Sequence, residues 1–214
     1  HDHLTVAEMN AAPFPYYDDT YAKRYWDGAP KGQARPHAQV WSSRGCVYKC
    51  IFCVWPATMT GNDPDGSNPR SVRHYTADYM EAFLSDLVGR YGFRSIYFDD
   101  DTFNLGNKHV LDLCGVMSRL GVPWSAMCRA DTIKFETWRV MKDSGCFGVK
   151  LGFESGNQWV VDNIVKKHLD LEKAKEVVWE LKRLGMTVHG TFTFGLPGET
   201  HEQIVETVPR VGYK

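Results

Sequence analysis

From His37 onward, extended and helical segments alternate along the chain, and this alternation narrows the possible folds more than any other feature. Strand patterns occur at His37–Ser43, Phe93–Phe98, Pro123–Cys128, Phe147–Phe153 and Met186–Phe194. Helical patterns occur at Thr76–Tyr91 (Thr76 a natural N-cap), Asn107–Leu120, Phe135–Ser144, Gln158–Val165, Leu171–Leu184 and Glu202–Val211. Strands that return through a helix every roughly 25–40 residues build βαβ units and a parallel sheet. Right-handed crossovers bring the strands' C-terminal ends to one rim. Ligands of α/β folds gather at that rim.

Five segments follow these strand ends: the cysteine loop at 44–56, Asp99–Asp101, Arg129, Glu154 and the turn Gly195–Glu199. The loop reads Cys46-Val-Tyr-Lys-Cys50-Ile-Phe-Cys53. Spacings of four and three let one loop present three thiolates to one face of a cubane cluster. Three ligands leave one iron open, which marks a catalytic centre rather than a closed structural one. A structural zinc site wants a fourth Cys or His at short spacing, and neither His37 nor His74 has it. A non-catalytic metal-binding module, zinc or iron–sulfur, is the competing reading.

The other rim segments have plain readings as well. Three adjacent carboxylates at 99–101 repel one another and call for cations or donors. Glu154 stands between Gly152 and Gly156, which allow close backbone approach to a ligand. Gly195, Pro197 and Gly198 make a tight turn with backbone groups to offer. Lys166 and Lys167 read as a solvated helix end, and Cys114, Cys128 and Cys146 as small buried hydrophobes.

The C-x-x-x-C-x-x-C loop after a first strand, with Phe52 before the third cysteine, resembles the radical S-adenosylmethionine (radical SAM) enzymes. The later Asp-Asp-Thr-Phe, Gly-Phe-Glu-Ser-Gly and Gly-Leu-Pro-Gly-Glu-Thr phrases, in that order, are similar to its cobalamin-associated branch. The resemblance covers about residues 37–205. It implies a partial (β/α)6 TIM-like barrel with about five βα units. It also implies a [4Fe–4S] cluster on Cys46, Cys50 and Cys53 that reductively cleaves S-adenosylmethionine to a 5′-deoxyadenosyl radical. Phe52, Asp100, Asp101, Arg129, Glu154, Gly195, Pro197 and Gly198 would line that cofactor. A cobalamin-dependent methyl transfer, or ring or carbon-skeleton chemistry, would follow, with cobalamin supplied by a domain absent from this sequence. A flavodoxin- or ferredoxin-type reductant is the implied partner.

Charge and hydropathy agree with a cytoplasmic enzyme. Lys plus Arg (25) nearly balances Asp plus Glu (26), so no electrostatic footprint for nucleic acid or a membrane surface stands out. No apolar run is long enough to span a bilayer. The chain opens at His1, and residues 1–36 read as a lead-in or linker to a core at 37–214 that stops short of a last strand.

Overall fold

The computed structural model describes residues 3–18, 34–54 and 70–211. The expected loop at 61–69, the Tyr21–Tyr25 stretch and the end of the cysteine loop (Trp55, Pro56) lie outside the described residues.

The elements in chain order are α1 (Val6–Ala11), β1 (His37–Val40), β2 (Ser43–Arg44), β3 (Arg73–His74), α2 (Ala77–Gly89), β4 (Ser95–Phe98), α3 (Asn107–Leu120), β5 (Trp124–Cys128) and α4 (Phe135–Asp143). Then come β6 (Cys146–Glu154), a π-helical turn (Val160–Ile164), α5 (Leu171–Arg183), β7 (Thr187–Phe192) and α6 (His201–Val211). The main sheet has five parallel strands in the order β1-β4-β5-β6-β7. Together with helices on its outer face, it is a partial α/β barrel.

Local chemistry sets the boundaries. The Thr76 side chain caps α2 by accepting from the Tyr79 amide, and Asp170 caps α5 by accepting from Glu172 and Lys173. α3 ends on left-handed Gly121. Side chains alternate between the two faces of the sheet, and Ile96, Phe98, Trp124, Ala126, Val149 and Leu151 enter the core beneath the helices. Trp124 and Trp138 are among its largest fully buried side chains.

Three sequence expectations change. The lead-in contains a helix, α1, whose Thr5 and Glu8 form a reciprocal capping box. Its continuation packs on α2: Phe14 meets Tyr79 edge-on at 5.2 Å, and Tyr17 lies against Tyr91 and Phe93. The first strand stops at Val40, and Ser43–Arg44 pairs antiparallel with Arg73–His74 instead. The helix expected at Gln158–Val165 is largely a π-turn, with the Val165 amide donating to Val160.

Candidate cofactor site

Every candidate residue lies at or just beyond a strand's C-terminal end. Two buried networks hold the cysteine loop there, one on each side.

The first network centres on Asp100, which is 1% exposed. Its Oδ1 accepts from the Ser42 amide (3.0 Å), the Ser42 hydroxyl (2.9 Å) and the Ser43 hydroxyl (2.5 Å). The Ser42 hydroxyl, donating to Asp100, accepts from His109 Nε2 at 2.9 Å. This fixes the neutral tautomer of His109, whose pKa is pushed down to about 3 by burial and by His74 stacked on it at 4.1 Å. Burial pushes Asp100 itself up to about 6, against the Ser43 and Ser42 hydrogen bonds. The resemblance puts Asp100 at the cofactor, but its carboxylate is directed to the chain's own donors. Asp101 accepts from the Gly45 amide at 3.0 Å, and Asp99 accepts from the Gln39 side-chain amide. The three carboxylates therefore meet donors, each a different one. Gly45 has φ 98°, and a Cβ there would stand 2.4 Å from the Ser71 carbonyl oxygen, so only glycine fits.

The second network lies under the far side of the loop. Arg129 is 4% exposed, so its ion pair with Asp131 is not a solvated surface pair. Its guanidinium grips Asp131 through two bonds of 2.6 and 2.9 Å and donates to the carbonyls of Lys167 and His168. It also lies 3.7 Å from the centroid of the Tyr48 ring, which belongs to the cysteine loop. Lys167 is a correction: it is buried, not solvated, and its Nζ donates to Glu154 Oε1 at 2.8 Å. Glu154, Lys166 and His168 all have positive φ (69°, 57° and 52°), conformations that non-glycine residues adopt only where the surroundings enforce them. Lys166 itself is exposed.

Between these networks the loop carries Cys46, Cys50 and Cys53, all half-buried and none in a disulfide. Cys46 Sγ lies 3.7 Å from Thr102 Oγ1. Cys50 packs against Val160, Ile164, Val165 and Leu196, and the Ile51 amide donates to the Val165 carbonyl. Burial raises the Cys50 thiol, while Lys167 and Arg129 pull it back down. Two buried cations thus offset part of the burial cost of a thiolate at Cys50. Val47, Ile51, Phe52 and Val54 are exposed and give the rim an apolar collar. The last turn differs from expectation, since the Gly195 and Leu196 amides are occupied by Glu199 Oε2 at 2.9 and 3.1 Å. Pro197 and Gly198 remain exposed beside it.

These donors suit a cluster better than a single ion. Zinc draws its ligands to about 2.0–2.3 Å from one centre, and among the described residues no three His, Cys, Asp or Glu side chains converge on such a point. A cubane would take one thiolate at each of three separate iron corners, and the loop offers three half-buried cysteines, with Lys167 and Arg129 near Cys50.

The radical SAM superfamily model matches residues 42–210, most of the chain. The chain belongs to the radical SAM superfamily. Members of this enzyme superfamily use a [4Fe–4S] cluster and S-adenosylmethionine. The chain is 27% identical over 205 residues to an uncharacterized methyltransferase of Pyrococcus horikoshii, covering 95% of this chain and 41% of that protein. It is 29% identical over 213 residues to cytidylyl-2-hydroxyethylphosphonate methyltransferase of Streptomyces wedmorensis, covering 94% and 38%. It therefore spans about two-fifths of the curated relatives it matches. Among solved structures it is similar to the radical SAM methyltransferase TsrM of Kitasatospora setae with cobalamin and [4Fe–4S] cluster bound (TM-score 0.68, 19% identity, 88% of this chain and 38% of that one). That likeness supports the radical SAM barrel fold. No helix among the described residues is long and apolar enough to cross a membrane.

Proposed function

We propose that Cys46, Cys50 and Cys53 hold a [4Fe–4S] cluster and that this chain is the core of a cobalamin-dependent radical SAM methyltransferase. One observation carries the reading: three cysteines outside any disulfide share a strand-end loop with buried Lys167 and Arg129 near Cys50. When bound, the cluster supplies the electron that cleaves S-adenosylmethionine to a 5′-deoxyadenosyl radical. The protein's contribution is positional. Asp100 and Asp101 pin the start of the loop, while Arg129 props Tyr48 from beneath. Lys167 stands beside both Glu154 and Cys50. Phe52, Glu154, Gly195, Pro197 and Gly198 form the wall facing S-adenosylmethionine. Methyl transfer is favoured because both relatives above carry methyltransferase names. Six cysteines, none in a disulfide, suit a reducing, cytoplasmic compartment with a flavodoxin- or ferredoxin-type reductant.

Anaerobic reconstitution with iron and sulfide should give a brown protein that releases 5′-deoxyadenosine from S-adenosylmethionine under reductant. Each of Cys46→Ser, Cys50→Ser and Cys53→Ser should lose iron while keeping the wild-type unfolding midpoint. A colourless protein holding zinc, or serine variants that unfold, would point to a structural staple instead.

A further inference from the structure

The start of the cysteine loop is fastened to the segment after β4 at two consecutive steps. The Gly45 amide donates to Asp101 at 3.0 Å, and one residue further on in both segments Cys46 Sγ meets Thr102 Oγ1 at 3.7 Å. Thr102 is 7% exposed, and the segment carrying it is pinned on both sides. Asp100 is held by Ser42 and Ser43, and the Phe103 amide donates to the Met127 carbonyl at 2.8 Å. The Asn104 side chain exchanges two hydrogen bonds with the Arg129 backbone. The Thr102 hydroxyl therefore has little freedom beyond rotation of its own proton. It also lies 2.6 Å from the Asp101 carbonyl oxygen, so one proton faces two acceptors. A cysteine thiol can donate to the Thr102 oxygen, but a metal-bound cysteine is a thiolate with no proton to give. With the Thr102 proton left on the carbonyl, the sulfur anion would face only hydroxyl lone pairs. Of the two acceptors, the anionic one makes the stronger bond.

We propose that the Thr102 hydroxyl donates to the Cys46 sulfur when the cluster is bound and thereby raises the cluster's reduction potential. Thr102 is a positioning residue that acts through Cys46. Negative charge on the thiolate grows when the cluster takes up an electron, so a donor at that sulfur favours the reduced form. The proposal rests on the cluster reading above.

The test is an anaerobic potential titration of the reconstituted full chain with dithionite and mediators, followed by the EPR signal of the reduced cluster. Thr102→Val keeps the side chain's shape and removes the proton. It should shift the reduction equilibrium about three- to tenfold toward the oxidised cluster, ~28–59 mV lower for one electron, at wild-type iron content. Thr102→Ser keeps the hydroxyl and loses the methyl group, so its potential should stay at the wild-type value. A packing role alone predicts the reverse order, with serine the more disturbed. Should Thr102→Val hold no cluster, Thr102→Ala, which also lacks the hydroxyl, decides by the same shift. A potential at or above the wild-type value in the variant without the hydroxyl overturns the proposal, because the proton would then not lie on the sulfur. Wild-type protein that forms no [4Fe–4S] cluster sinks the cluster reading and the proposal with it, a failure seen before any variant is measured.

Discussion

Replacing Lys167 with methionine keeps most of the side chain's length and bulk and deletes the ammonium. Glu154 would then be a buried carboxylate whose only remaining side-chain donor among the described residues is the Thr193 hydroxyl at 3.4 Å. In the wild type both partners are about nine-tenths buried, with side chains 11% and 10% exposed, so solvent screens the pair weakly. Stranding one member of such a pair costs about 3–5 kcal/mol. A domain is stable by only ~5–15 kcal/mol, so Lys167→Met should survive only in dilute denaturant. With a urea slope of ~1–3 kcal/mol/M, the unfolding midpoint should fall by about 2 M. Glu154→Gln retains an oxygen that accepts from Lys167 and should cost less. The double variant buries no uncompensated charge, so it should recover most of the loss and leave a coupling energy of about 2 kcal/mol or more. Urea unfolding of all four proteins, followed anaerobically by tryptophan fluorescence, measures the cycle. Additive single effects, or a Lys167→Met midpoint equal to wild type, would refute a functional buried pair.

Gly152→Ala places a Cβ 2.3 Å from Glu154 Oε1 and 2.6 Å from Lys167 Nζ. It should lower stability by about 1–3 kcal/mol, visible as a fall in Tm, and an unchanged Tm would contradict the crowding. Asp100 is raised in the folded chain to about 6, so between pH ~4 and 6 the folded form holds a proton that the unfolded form releases. Its contribution of about 3 kcal/mol is therefore fully present below pH ~4 and lost as pH rises through 6. Asp100→Asn should flatten that slope, and parallel wild-type and variant profiles would refute the assignment. Arg129→Lys keeps the charge but loses the two-pronged grip on Asp131. It should cost about 2 kcal/mol of stability and reduce iron uptake on reconstitution, whereas full iron loading would show that Tyr48 needs no such support.

Much of the fold is legible because its signals are local. The Thr76 cap starts α2, and the apolar spacing at Asn107–Leu120 matches α3 to the residue. The loop cysteines are equally legible, since their spacing is itself the signal. Features resting on distant partners are not. Lys166-Lys167-His168 reads as a polar helix end. Lys167 is drawn inward only because the π-turn lets its amide donate to the Val161 carbonyl, which carries the side chain back to Glu154. The Asp100 network joins residues 58 apart in the chain, and no periodicity in Ser42-Ser43 announces it. β2 and β3 are two residues each, too short for alternation to register. A Glu199 three residues after Leu196 is, in hindsight, the one local hint that the final turn's amides are already taken.

What the structure adds to the cysteine motif is a division of labour. The thiols and the collar around them are half-exposed, as a centre that admits a cofactor and an electron donor requires. The polar groups that hold the loop are buried on both sides. Two buried groups are held from the end of another strand: Asp100 of the β4 end by Ser42 and Ser43 after β1, and Arg129 of the β5 end by the Lys167 and His168 carbonyls after β6, where Lys167 also holds Glu154. A shift of one strand end would therefore break hydrogen bonds made by another. Buried polar groups left unpaired are costly, so the rim is stiff where it supports the loop and open where the loop meets solvent. Stiffness of this kind sets the relative positions of the three sulfurs before any cluster binds, which lowers the ordering cost of assembling it.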